Sequence, residues 1–128
     1  MRLLMTICAI ALLSEANGTR VRLVDGESQC GGRVEVYQAG HWGTVCHDNW
    51  DMNDAEVVCR ELGCGAAVAA LQFAHYGQGA GIIFLDDLHC TGSEQSLLDC
   101  PSNGIGSHNC FHYQDAGVLC AGLNVTEY

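Results

Sequence analysis

Apolar and polar positions along the chain fall into two periodicities. Val21 and Leu23 alternate with Arg22 and meet a turn at Asp25-Gly26, which predicts a first short strand. Residues 32–38, GRVEVYQ, repeat the alternation, with Val34 and Val36 on one face and Arg33, Glu35 and Tyr37 on the other. Ala39-Gly40 supplies a turn, and HWGTVC resumes the extended pattern, so the pair reads as a β-hairpin. Further on the period changes. Ala55, Val58, Cys59 and Leu62 stand at i, i+3, i+4 and i+7, the apolar stripe of a helix. Asn53 is placed to cap it, with Glu56 three residues later as in a capping box, and Gly63 provides the left-handed stop. A shorter helical turn from Ser93 carries Leu97 and Leu98, and strands are expected at Ile82–Leu85 and Gly117–Ala121. The remainder, including the glycine-rich 74–81, reads as loop. The sum is a small α+β domain: a curved, antiparallel-type sheet cradling one helix, with long loops.

The N-terminus reads differently. Arg2 precedes an eleven-residue apolar run, Leu3–Leu13, followed by a short polar stretch with Ala16 and Gly18 at small-residue positions. That is the pattern of a secretory signal peptide, and the run is too short for a bilayer core of about 30 Å. The alternative is a buried N-terminal helix. On the signal reading residues 1–18 are removed, 19–122 form one domain, and 123–128 are a short tail.

Export changes the meaning of the cysteines. Of nine, Cys8 lies in the signal and eight remain: Cys30, Cys46, Cys59, Cys64, Cys90, Cys100, Cys110 and Cys120. An even set in an exported domain reads as a disulfide framework. Zinc is the weaker reading, because no two cysteines stand in C-x-x-C spacing. The stripe buries Cys59, so its bond should point towards the core. Eight cysteines allow 105 pairings, and spacing alone leaves them open.

Charge narrows the partners. The net charge is −10 and there is no lysine, so a bare cationic groove for nucleic acid or heparin is not expected. An anionic ligand would need a bound divalent cation to reverse the field locally.

Four segments then carry a resemblance. VRLVDGESQCGGRVEVYQAGHWGTVC, DAEVVCRELGC, FLDDLHCTGSEQSLLDC and HNCFHYQDAGVLC occur in order, and together they resemble the scavenger receptor cysteine-rich domain over about residues 20–122. The full set of eight cysteines is similar to the eight-cysteine group B type, in a single-domain secreted form. The resemblance implies the pairing Cys30–Cys64, Cys46–Cys110, Cys59–Cys120 and Cys90–Cys100, and a curved sheet cradling a helix.

The candidate chemistry centres on Asp86-Asp87, just after a strand and shortly before Cys90. Adjacent carboxylates repel unless a cation or donor lies between them, and calcium takes oxygen ligands. Asn109 adds a neutral oxygen, held in place by its neighbour Cys110. The resemblance implies a divalent-cation site whose positions match Asp86, Asp87 and Asn109. The plain alternative is a solvated acidic loop. A second, weaker family site is also implied at Asp48, where His47 and Gln114 replace two charged ligands. Such a replacement should leave that site weak or empty.

Residues 32–42 resemble a segment tied to bacterial binding in mucosal members of the family, which implies contacts from Arg33, Glu35 and Tyr37, with Arg60 adding positive charge. The competing reading makes Val34, Val36 and Trp42 core residues of a general fold pattern. Neither G-x-S-x-G nor H-E-x-x-H occurs, and no free cysteine is left over, so no enzyme is expected. Asn124-Val125-Thr126 is a candidate glycosylation site; the sequon Asn17-Gly18-Thr19 straddles the expected cleavage point.

The expected function is therefore calcium-dependent recognition of microbial surface polymers or host extracellular proteins and glycans by a secreted, extracellular domain. No nucleic-acid partner and no transmembrane segment are expected, and oligomerisation would supply avidity. The alternative is a metal-independent protein-interaction module, or a fragment of a larger multi-domain receptor.

Overall fold

The computed structural model describes residues 20–122; the signal reading, the tail and Asn124 lie outside them. Six strands, one helix and two single 3-10 turns follow in order: β1 (Val21–Ser28), β2 (Gly31–Gln38), β3 (His41–Val45), α1 (Met52–Glu61), β4 (Ala67–Leu71), β5 (Ile83–Leu85), turns at Leu97–Asp99 and His112–Gln114, and β6 (Gly117–Cys120). The sheet order is β4-β6-β2-β3-β5, with β1 paired to β2. Most pairs are antiparallel, but β3 and β5 run parallel, so the sheet is mixed rather than purely antiparallel.

The hairpin forms where the pattern places it, with Tyr37 opposite Trp42 and Gln38 opposite His41. Ala39 (φ 52°) and Gly40 (φ 84°) take the left-handed conformations that a two-residue turn of matching twist requires. β1 runs further than expected. Asp25 (φ 65°) makes an irregularity, not an end, and pairing resumes at Ser28 opposite Gly31. Gly26 is needed there, because a Cβ would lie 1.8 Å from the Gly31 carbonyl oxygen.

The helix begins two residues earlier than its apolar stripe suggests. Asp51, not Asn53, is the N-cap: its side chain accepts the Asp54 N–H at 3.1 Å, and Asp54 Oδ2 accepts the Asp51 N–H at 2.9 Å. Glu56 is drawn away to accept the Ala67 N–H at 3.2 Å. At the other end Cys64 N donates to Cys59 O and Gly63 N to Arg60 O, a Schellman motif with Gly63 at φ 67°. Ala55, Val57, Val58 and Cys59 are fully buried, and they pack with Val34, Val36 and Val118 of the sheet, Trp50, Leu88 and Leu97 in one core.

All four disulfides pair as the family resemblance implies, and Cys59 is tied to Cys120 at the end of β6. Two expectations were incomplete. Residues 67–71, AVAAL, read as loop but form β4 against β6. The turn expected from Ser93 is confined to Leu97–Asp99 and capped by Ser96.

Candidate cation site

Three segments meet at the Cys46–Cys110 disulfide, whose Cα atoms are 6.3 Å apart. Asp48 follows Cys46 at the end of β3, Asn109 precedes Cys110, and Asp86 follows β5. The β3–β5 pairing lays Val45 beside Leu85, which brings Asp86 to Asp48. Carboxylate oxygens of Asp48 and Asp86 and the two disulfide sulfurs all lie within 4.8 Å of one another. The sulfurs are bonded to each other, so the free ligand atoms are the carboxylates. Asp86 is 1% exposed and Asp48 half-buried.

The Asn109 amide completes the set, and its heavy atoms fit two orientations. With the oxygen inward, three oxygens converge with no donor between them. Turned over, the nitrogen donates to Asp48 Oδ2 at 3.1 Å and Asp86 Oδ2 at 3.3 Å. Hydrogen bonding favours the second orientation, which satisfies the amide and both carboxylates without an ion; the first would suit a cation. Burial raises the pKa of Asp86, and the facing Asp48 carboxylate and then Asp87 raise it further, against the Asp87 N–H that donates to its Oδ1 at 2.9 Å. A cation would relieve that repulsion by replacing a proton.

The grouping differs from the sequence expectation. Asp87 is turned elsewhere, in a left-handed conformation (φ 54°) with its carboxylate held between the side-chain amides of Asn49 and Asn103, each at 2.7 Å. Asp48, expected in a separate and weaker site, stands with Asp86 and Asn109. Sequence reasoning missed Asn49 and Asn103; the signal available for Asp48 was the implied Cys46–Cys110 bond, which sets it beside Asn109.

The residues that replace charged ligands at the second expected site are occupied by protein. His47 Nδ1 accepts the Phe73 N–H at 2.9 Å, with the two rings edge-on at 4.4 Å, and Gln114 Oε1 accepts the Phe111 N–H at 2.9 Å. Nearby, Asp115 Oδ2 accepts the Gly79 N–H at 2.8 Å and faces His112 Nδ1 at 3.0 Å, while His112 Nε2 faces the Gly81 carbonyl at 3.0 Å. Burial pulls the His112 pKa down, but the Gly81 carbonyl and the Asp115 carboxylate outweigh it, and the net shift is upward.

On the hairpin, Arg33 and Glu35 are each 6% exposed, not projecting as the alternation suggests. Arg33 donates to Glu35 and Asp25, each at 3.0 Å, and to the Gly77 carbonyl at 3.2 Å, because the 72–82 loop crosses that face. Both side chains are therefore engaged in ion pairs beneath that loop. Tyr37 remains 40% exposed against Trp42, which is half-buried, not core, with the Arg22 guanidinium 4.2 Å over its ring. Arg60 is exposed, but its guanidinium donates to the carbonyls of Gly92 and Glu94. Among the described residues no helix is long and apolar enough to cross a membrane.

Comparison with known proteins agrees with this architecture. Residues 24–121 match the family model described as the scavenger receptor cysteine-rich domain. A scavenger receptor cysteine-rich domain superfamily protein of Patiria pectinifera is 53% identical over 102 residues, which are 80% of this chain and 9% of that protein. The chain thus spans about a tenth of that relative's length. Among solved structures, the third such domain of murine neurotrypsin is 50% identical with a TM-score of 0.72, covering 78% of this chain and 94% of that one. The dimeric form of the domain of mouse MARCO is 47% identical with a TM-score of 0.67, covering 85% and 98%.

Proposed function

The chain belongs to the scavenger receptor cysteine-rich family, a family of receptor and protein-interaction modules, and from that premise we propose that it is a secreted recognition domain whose ligand contact is organised by a calcium ion. The observation that carries the reading is the convergence of the Asp48 and Asp86 carboxylates at the Cys46–Cys110 disulfide, with the Asn109 amide beside both. Oxygen donors without a free thiolate or imidazole suit calcium over zinc. Asp48 and Asp86 would hold the ion, Asn109 would add its amide oxygen, and the Asp87 N–H keeps Asp86 oriented. The bound ion supplies a positive centre, on a chain of net charge −10, to which anionic or hydroxyl-rich groups of microbial polymers or host glycoproteins attach.

A second reading is a metal-independent interaction module within a longer receptor. It is favoured by the inward-nitrogen orientation of Asn109, which satisfies the site without an ion, and by the small share of the Patiria pectinifera relative that the chain spans. Calcium titration by calorimetry, paired with binding to whole bacteria in calcium and in excess chelator, separates the two. Saturable calcium heat that vanishes in Asp86→Asn and Asp48→Asn, with chelator-sensitive binding, supports the first. Absence of calcium heat with chelator-insensitive binding establishes the second.

A further inference from the structure

Asn103-Gly104 is the only Asn-Gly dipeptide among the described residues, and it stands on the exposed 101–109 loop. Gly104 has φ 106° and open space where a Cβ would be, and its N–H is engaged only by the Ser102 hydroxyl at 3.1 Å. Asp25-Gly26 offers a sharp contrast: Gly26 is locked in β1 against the Gly31 carbonyl. Nor is Asn103 an idle loop residue. Its amide donates to Asp87 Oδ2 at 2.7 Å, and its backbone N–H donates to the Asp86 carbonyl at 3.3 Å. It is one of the two amides that donate hydrogen bonds to the Asp87 carboxylate.

We propose that Asn103 is a site of spontaneous deamidation, and that its conversion releases the 101–109 loop from Asp87. The Gly104 backbone nitrogen attacks the Asn103 side-chain carbonyl carbon and closes a five-membered succinimide. The bond to Nδ2 breaks, and that nitrogen leaves as ammonia with the proton lost from Gly104. Water then opens the ring at either carbonyl, leaving aspartate or isoaspartate. Glycine at 104 matters because no side chain hinders the approach. The product exchanges a donor for a second carboxylate opposite Asp87, and like charges so placed repel. Each end of the loop feels this, since Asn109 closes it beside Asp48. The Asp87 contact also orients the amide before reaction, so the folded protein converts more slowly than an unfolded chain.

The test is to incubate the folded, oxidised protein in mildly alkaline buffer and map peptides for aspartate and isoaspartate at 103. Conversion that grows with time and pH in the wild type, is several-fold faster in Asp87→Ala, and is absent in Asn103→Gln is expected. Folded protein that stays unconverted while its reduced, denatured form converts overturns the proposal. The consequence is read separately, in calcium-free buffer, by proteolysis of the 101–109 loop and by melting. Asn103→Asp should be cut several-fold faster and melt lower than Asn103→Gln; identical behaviour overturns the claimed release. Neither readout depends on cation binding, so this proposal stands or falls apart from the calcium reading.

Discussion

Arg33 Nε donates to Glu35 Oε2 at 3.0 Å within a sheet face where the two side chains are 7% and 8% exposed. The same Glu35 accepts Arg22 through Oε1, at 2.7 and 3.0 Å, so one carboxylate holds two guanidinium groups. Removing it leaves buried Arg33 with Asp25 and the Gly77 carbonyl as its remaining partners. Glu35→Ala should cost about 1.5–3 kcal/mol, the range for hydrogen bonds to a charged group, because the ion pairing is only partly broken. Urea unfolding measures it, and a loss below about 1 kcal/mol would show that the pair is dispensable.

Burial pushes Asp54 up to about 6, against the Asp51 and Cys90 N–H groups that bond its charged form. Burial likewise raises Glu61, against donation from Leu97 N at 2.9 Å and the Ser96 hydroxyl. A carboxyl whose pKa is raised by folding stabilises the fold fully below its unfolded value. That contribution is lost as pH rises through the folded value. For Asp54 the window runs from about pH 4 to about 6 and is worth about 2–3 kcal/mol. His112, also raised, loses its contribution as pH climbs above its ordinary value. Melting temperature should therefore fall from mildly acid to neutral pH. Asp54→Asn should flatten the acid part of that profile and His112→Gln the neutral part.

Cation affinity should run the opposite way. Asp86 carries a raised pKa and must give up its proton to coordinate, so calcium binding weakens as pH falls through that value. On the proposed calcium reading Asp86→Asn should abolish calcium heat; affinity that stays flat across mild acid would place the ion elsewhere.

Disulfide deletions should rank by loop length. Cys59–Cys120 closes 61 residues and Cys90–Cys100 closes 10. Chain entropy gives about 4 and about 3 kcal/mol for paired alanine replacements, and the core position of Cys59 adds cavity cost to the first. Equal losses in denaturant unfolding would contradict the ranking.

Thr44 Oγ1 is buried with no hydrogen-bond partner among the described residues. Thr44→Val removes that orphan at nearly constant volume and should gain about 1 kcal/mol. A loss of stability on thermal melting would mean the hydroxyl is satisfied in solution.

Local pattern revealed the hairpin, the helix and its glycine stop, because each depends on residues within a few positions. The helix start was misread, since Asp51–Asp54 and Asn53–Glu56 have the same spacing. What separates them is Glu56 being claimed by Ala67 N, across eleven residues. β4 was missed because AVAAL lacks strand character of its own and is extended only by pairing with β6. Arg33 and Glu35 alternate like surface residues, yet the 72–82 loop covers them, and period-two patterning cannot see a loop crossing overhead. At the candidate site, Asp86 and Asn109 were legible from residue type and position. The exchange of Asp87 for Asp48 was not, because it turns on which way one backbone bend aims a carboxylate.

The Cys46–Cys110 bond joins two of the three stretches that carry the candidate ligands, Asp48 and Asn109, whatever occupies the space between them. Chain closure has already been met in oxidative folding, so an incoming ion need only displace water and rotate one amide. On the calcium reading, such preorganisation would link metal affinity to redox state. Reduction of this one staple would leave every oxygen donor in the sequence and still weaken the site, because Asp48 and Asn109 would again have to find each other.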